Sequence, residues 1–219
     1  MNIIQDFIPV GRKNRSGIKL TGPKYITIHD TANPAKGANA LMHARYLKGD
    51  DAANRPASWH FTVDDQRVVQ HLPLDEVAWH AGDGSKGPGN TSSIAIEICE
   101  NADGDRAKAE ANAAELVAQL LRQFRLTLDA VVQHNRWTGK DCPRIIRHRS
   151  GGWEGFLEAV QACLSQPVAS AVPEDEVSEW AREARDWAVS RGITDGTRPK
   201  DAVTREEVWT MLYRMSFFV

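Results

Sequence analysis

The sequence predicts an α/β fold: a central mixed β-sheet flanked by helices, followed by a small helical C-terminal module. Three observations carry this. Strand-like and helix-like runs alternate as far as Leu164. A short, uncharged, proline-bounded stretch then interrupts the chain. Everything beyond it reads as helix and turn. The chain has 219 residues, 42% hydrophobic and 26% charged, which is a globular composition and enough for one ordinary domain plus a small one.

The elements follow in order. Lys24–His29 (KYITIH) is β-rich and ends in polar turn residues. Ala38–Leu47 has helical character. Ser58–Val63 and Arg67–Leu72 flank Asp64-Asp65-Gln66 and read as a hairpin. Gly82–Asn90 (GDGSKGPGN) is punctuated by glycine and proline and reads as a loop. Ser93–Cys99 is a strand, apolar on both faces apart from Glu97. Arg106–Phe124 is an amphipathic helix rich in alanine, leucine and glutamate. Leu128–His134 gives another strand, and Trp153–Leu164 a closing helix.

Residues 165–173 (SQPVASAVP) have linker composition, which divides the chain into a domain at 1–164, a linker at 165–173 and a module at 174–219. The last part is small for an independent core. Net charge is −2, so no basic field marks a nucleic-acid partner. No apolar run approaches the roughly 18–20 residues that span a bilayer, so membrane insertion is not expected. The first residues, MNIIQDFIPVGRKNRSG, lack the basic, apolar, small-residue order of a signal peptide. Three cysteines are too few for a disulfide framework.

Several residues have types suited to chemistry. His29 and His134 each end a predicted strand, and Cys142 follows in Thr138-Gly-Lys-Asp-Cys-Pro143. Two imidazoles and a thiolate suit zinc with a fourth position open. The alternative is two satisfied histidines and an inert thiol. Glu97 sits between Ile96 and Ile98, where a carboxylate is costly to bury unpaired. It is either a general base of raised pKa or a glutamate on the solvent face of an edge strand. Lys140 is a solvated loop lysine or an oxyanion stabiliser. His80, beside Trp79 at the head of the glycine-rich loop, either donates a hydrogen bond to substrate or anchors the loop. His60, inside a strand, reads as a structural hydrogen-bonder. His43, His71 and His148 read as surface or packing residues. Cys99 shares a face with Glu97 and reads as a buried free thiol, and Cys163 as helix packing.

Five motifs occur in a telling order: Tyr25–Asn33 (YITIHDTAN), Ser58–Phe61 (SWHF) with Val63-Asp64-Asp65, Ala78–Gly84 (AWHAGDG), Ser93–Asn101 (SIAIEICEN) and Gly139–Pro143 (GKDCP). Together they resemble the zinc-dependent N-acetylmuramoyl-L-alanine amidases of the type-2 amidase and peptidoglycan-recognition-protein superfamily, with phage and prophage endolysins nearest. The likeness covers roughly residues 1–164. It implies Zn2+ held by His29, His134 and Cys142, with Glu97 as catalytic carboxylate and Lys140 as transition-state stabiliser. It implies peptidoglycan as partner, with Asn33, Trp59, Trp79 and His80 beside the substrate. It also implies synthesis in the cytoplasm and action on the wall after release. One departure is Trp59, where some relatives carry a catalytic tyrosine; this places the proton work on Glu97. Cytoplasmic recycling amidases use an aspartate where this chain has Cys142. Recognition proteins without turnover typically lack that cysteine, and such a binder is the second reading.

In the C-terminal segment, Ala181–Gly192 is a helix closed by glycine, and Thr204-Arg-Glu-Glu207 is a capping box. Trp180, Ala184, Trp187, Val208, Met211 and Leu212 are expected to share an apolar face. Trp187-Ala188, Gly192–Gly196, Pro199 and Thr204–Glu207 resemble one S-layer-homology repeat. Such repeats commonly bind cell-wall polymers in sets of three, so a single copy would gain its neighbours through homo-oligomerisation. The plainer reading is a helical hairpin.

Overall fold

The computed structural model describes residues 3–166, 177–197 and 203–215. The chain divides into two compact units, Met1–Gln166 and Pro167–Val219. Most of the expected linker lies outside the described residues; Ser165 still belongs to a helix.

The first unit contains strands β1 (Ile3–Gln5), β2 (Tyr25–Asp30), β3 (Phe61–Val63), β4 (Val68–Gln70), β5 (Ser93–Ile98) and β6 (Val131–Gln133). They form one sheet in the order β1-β4-β3-β5-β2-β6. Only the β3–β4 hairpin is antiparallel; the other pairings are parallel. The expected mixed sheet with flanking helices is therefore present. Helices are α1 (Ala40–Lys48), α2 (Asp50–Ala53), α3 (Pro88–Thr91), α4 (Arg106–Phe124), α5 (Asn135–Thr138), α6 (Arg144–His148) and α7 (Gly152–Ser165).

Side chains alternate across a strand, so each central strand has two characters. Ile26, Ile28, Ile94, Ile96, Ile98, Phe61 and Val63 belong to the main apolar cluster with Leu116, Val117, Leu120 and Leu121 of α4 and Phe156 and Val160 of α7. Fully burying such side chains stabilises the domain by about 1.5–3 kcal/mol each. The intervening positions, Thr27, His29, Ser93 and Glu97, are polar. Glu97 is thus not on an edge strand: β5 lies between β3 and β2.

Local chemistry sets the element ends. Asn39 Oδ1 accepts from Met42 N, which starts α1 two residues later than the apolar pattern suggests. Asp64 Oδ1 accepts from Gln66 N and Arg67 N and closes the hairpin turn. Its Oδ2 accepts from Ala40 N and ties that turn to α1. Asp105 caps α4 through Lys108 N. Leu128–Ala130 turns out to be a 3-10 turn leading into β6, which shortens the expected strand. Part of the expected Gly82–Asn90 loop is helical, because Asp83 accepts from Gly89 N and Asn90 N and winds Pro88–Thr91 into a single turn.

In the second unit, α8 (Glu179–Ser190) and α9 (Arg205–Met215) appear as expected. Thr204 N donates to Glu207 Oε2 at 2.8 Å, and Glu207 N donates to Thr204 Oγ1 at 3.2 Å, the reciprocal pair of a capping box. The expected shared apolar face does not form as a buried seam: Trp180 is 87% exposed and Leu212 57%. Among the described residues of this unit, Val177 and Ile193 are the buried hydrophobic side chains. Among the described residues, no helix is long and apolar enough to cross a membrane.

Candidate metal centre

His29 is near the end of β2, and His134 follows β6 directly, its amide donating to Ile28 O. Sheet pairing therefore brings together two histidines that are far apart in sequence. Cys142 arrives by the loop after α5, where Cys142 N donates to Lys140 O and Asn135 N donates to Cys142 O. The donor atoms of His29, His134 and Cys142 lie within 4.8 Å of one another, and all three residues are buried. His29 Nδ1 is 3.8 Å from Cys142 Sγ. These spans are close to the ~3–4 Å that ligands of one zinc ion require.

The donor set fits a metal on further grounds. His134 Nε2 meets Ala81 O at 3.0 Å, while its Nδ1 is buried with no partner. A buried, unpaired ring nitrogen is costly unless something coordinates it. His29 faces the cluster through Nδ1, while its Nε2 contacts His80 Nδ1 at 2.9 Å. Burial, together with His80, His134 and Lys140, holds His29 well below the usual histidine range; burial and Lys140 lower His134. Neutral imidazoles are the ligand-ready form. Burial, reinforced by Glu97, pushes the Cys142 thiol up to about 12. A thiolate at that position needs a cation beside it.

Glu97 borders the cluster, with Oε1 3.8 Å from His29 Nδ1 and its side chain 15% exposed. Its Oε2 is buried and has no partner. Burial pushes its pKa up to about 8, helped by Asp30 and Glu100 and opposed by Lys140. Lys140 is exposed at the rim. Its charge is felt by His29, His134, Glu97 and Cys142 alike.

The remaining expected residues are distributed around this centre. Asn33 is half-exposed on the loop after β2, its Oδ1 accepting from Ala35 N. Trp79 packs partly buried against the main apolar cluster. Trp59 donates from Nε1 to Thr62 Oγ1 at 2.7 Å and packs beside Ile8, Leu47, Leu72 and Ala78. His80 has both ring nitrogens engaged, one by His29 and the other by Ser93 Oγ at 3.2 Å. His60 is the structural residue expected: Nε2 meets Glu76 O and Nδ1 accepts from Ala95 N. Cys99 is buried near His43, and burial raises its thiol far above the ordinary range.

Thr27, Ser93, Trp137, Asn90 and Asp30 support the centre without standing out by residue type in the sequence. Asn90 Oδ1 accepts from both His80 N and Ala81 N, pinning the segment that contacts both His29 and His134 from behind. Asp30 pairs with Arg106 and accepts from Ile145 N, which anchors α6 just beyond Cys142. The available signal was polar residues at alternate positions of central strands.

An α/β domain with a buried two-histidine, one-cysteine cluster and an adjoining carboxylate is the class these features define. The chain belongs to the N-acetylmuramoyl-L-alanine amidase family, whose model matches residues 19–145. It is 60% identical over 166 residues to the N-acetylmuramoyl-L-alanine amidase XlyA of Bacillus subtilis (strain 168), covering 76% of this chain and 53% of XlyA. It is 49% identical over 168 residues to CwlH of the same organism, covering 76% of this chain and 64% of CwlH. The solved catalytic domain of XlyA superposes with a TM-score of 0.68 at 54% identity, covering 73% of this chain and 99% of that domain. The chain thus spans about half the length of XlyA and under two thirds of CwlH.

Proposed function

We propose that this protein is a zinc-dependent peptidoglycan hydrolase. It would cleave the amide between the lactyl group of N-acetylmuramic acid and the L-alanine of the stem peptide. The observation that carries this is Glu97: a largely buried carboxylate whose Oε2 is enclosed and unpartnered, beside a three-donor cluster. Relatives named as N-acetylmuramoyl-L-alanine amidases supply the substrate class.

His29 Nδ1, His134 Nδ1 and Cys142 Sγ would hold the zinc, which when bound supplies Lewis acidity and lowers the pKa of a water. Glu97 takes the proton of the attacking water through its carboxylate and returns it to the departing alanine amine. Burial raises Glu97 above the ordinary carboxylate range, and a bound dication beside it would draw that value back toward one that both takes and returns a proton near neutral pH. Lys140 places positive charge at the rim, where the tetrahedral oxyanion develops. Asn33 and Trp59 would contact the glycan or the peptide in this reading.

Residues 1–164 form the catalytic domain in this reading, with 165–173 as linker. Residues 174–219 are a targeting or oligomerisation module related to an S-layer-homology repeat, with a secondary cell-wall polymer or a second copy of this chain as its partner. The site of action is the cell wall, reached after release from the cytoplasm. The experiment is digestion of purified peptidoglycan, scored for new amino-terminal alanine against new reducing sugar ends. Alanine termini alone are expected. Wall binding without any bond cleaved would support a recognition protein instead, and reducing ends would mean a glycosidase.

A further inference from the structure

The polarity of one buried hydrogen-bond chain can be worked out from its two ends. At one end, Trp137 Nε1, which can only donate, meets Thr27 Oγ1 at 3.0 Å. Thr27 Oγ1 accepts there and donates its own hydrogen to Ser93 Oγ, 2.9 Å away. At the other end, Ser93 Oγ lies 2.6 Å from Gly89 O, a carbonyl that can only accept. Ser93 has spent its single hydrogen there. Toward His80 Nε2, at 3.2 Å, Ser93 can only accept, so that nitrogen carries a hydrogen. Neutral His80 then has a bare Nδ1, and this accepts the Nε2 hydrogen of His29 at 2.9 Å. His29 is left with a bare Nδ1, the atom that faces Cys142 and Glu97.

We propose that His80 is a positioning residue for the metal centre: with Ser93 behind it, it locks His29 in the tautomer and ring orientation that present Nδ1 as a ligand. His134 needs no such relay, because Ala81 O fixes it directly. The two devices are contiguous in the chain, His80 and Ala81, and Asn90 Oδ1 fastens both of their amides at 2.8 Å. The close packing of this support is visible at Gly89, where an added Cβ would stand 2.5 Å from Ala81 Cβ and 2.8 Å from the Trp137 ring. His80 meets His29 at His29 Nε2, the ring nitrogen opposite the one that faces Cys142, so it is not itself one of the clustered donors. A neutral imidazole in this role orients His29 without adding a second anion beside the Cys142 thiolate. A carboxylate, the commoner partner of a metal-bound histidine, would add one.

The inference rests on the proposed metal site, and its test separates the two. Full-length protein carrying 15N-labelled histidine is examined metal-free by long-range 1H–15N spectroscopy, and zinc affinity is then measured by chelator competition. In the wild type, His29 should appear as a single tautomer protonated at Nε2 before any metal is added. His80→Phe should give mixed His29 tautomers and a roughly 10- to 100-fold weaker zinc affinity, the loss typical of removing such a partner. His80→Gln restores both properties in large part, since its amide oxygen can accept from His29 and its amide nitrogen can donate to Ser93. Should His80→Phe fail to fold, His80→Leu decides: it likewise removes the acceptor for His29 Nε2 and should mix the His29 tautomers. An unchanged tautomer and affinity in a folded His80→Phe, or no recovery in a folded His80→Gln, would overturn the inference. Absence of zinc binding in the wild type with the tautomer locked would overturn the metal site and leave the positioning of His29 intact.

Discussion

Glu97 Oε1 stands 3.8 Å from His29 Nδ1, and the two residues are direct neighbours in the register of parallel strands β5 and β2. The ladder of backbone hydrogen bonds, not a loop, therefore sets the distance between the proposed base and a proposed ligand. Both side chains rise from the polar face of the sheet, while Ile28, Ile96 and Ile98 beside them anchor the same strands in the apolar core. A site mounted in this way changes geometry little when either side chain is altered, so single substitutions can be read as chemistry.

Lys140→Ala should lower turnover about 10- to 100-fold while shifting zinc affinity far less, as expected for loss of a charge that acts on the developing oxyanion. Lys140 is exposed at the rim, so its removal leaves no hole in the core. Steady-state kinetics beside chelator competition would check this. Equal losses in both would contradict the assignment.

Removing the metal should abolish turnover and lower the thermal midpoint, because an ion bound only by the folded state stabilises it by mass action. Zinc should restore both. Cys142→Ser should retain the fold but need much more zinc for the same recovery, since a hydroxyl replaces the strongest donor of the set. Calorimetric scans with and without added zinc give the answer.

His60 predicts an acid-sensitive core away from the ligands. Its Nδ1 accepts from Ala95 N, so protonation would set two donors against each other. Burial lowers its pKa from 6.5 to about 4. With the folded value depressed, the unfolded chain takes up the proton first. The stabilisation is full above about pH 6.5 and is lost as pH falls toward 4, on the order of 3 kcal/mol in all. Urea midpoints measured across that window should fall in the wild type. His60→Asn should lose one proton's share of the slope, whatever its stability at neutral pH; an unchanged slope would be inconsistent with a neutral buried His60.

Arg106 bridges Asp30 and Glu110, and Arg149 also pairs with Glu110. Arg106→Met should destabilise the domain by roughly 3 kcal/mol, because Asp30 is left buried without its counter-charge. Asp30 also holds Ile145 N at the start of α6, so the effect should reach the Cys142 loop and weaken zinc binding. Chemical denaturation and metal affinity measured on the same variant test the two parts.

Much of this was legible in the sequence. Alternating apolar runs revealed β2 and β5, and the charged and apolar period of Arg106–Phe124 revealed α4 to the residue. The capping pair Thr204 and Glu207 was equally plain, because such contacts are local. β1, α2, α5 and α6 were not legible: three to five residues are too few to show a period. His29, His134, Glu97 and Cys142 stood out by residue type, but their convergence depends on parallel pairing of strands distant in sequence. The role of His80 was hidden for a different reason. It depends on which hydrogen each of four neighbours has left to give, and only the assembled chain through Ser93 and Thr27 shows that.

The most direct test of the account is a matched pair of measurements, zinc content and amide cleavage on purified peptidoglycan, for the wild type and Glu97→Gln. About one zinc per chain is expected in both proteins, as the three-residue donor set requires. The wild type should release alanine termini, and the variant should lose at least about 100-fold, the contribution of a proton-transferring carboxylate. Full zinc content with undiminished cleavage in Glu97→Gln would contradict it, as the carboxylate beside His29 would then have no part in the reaction.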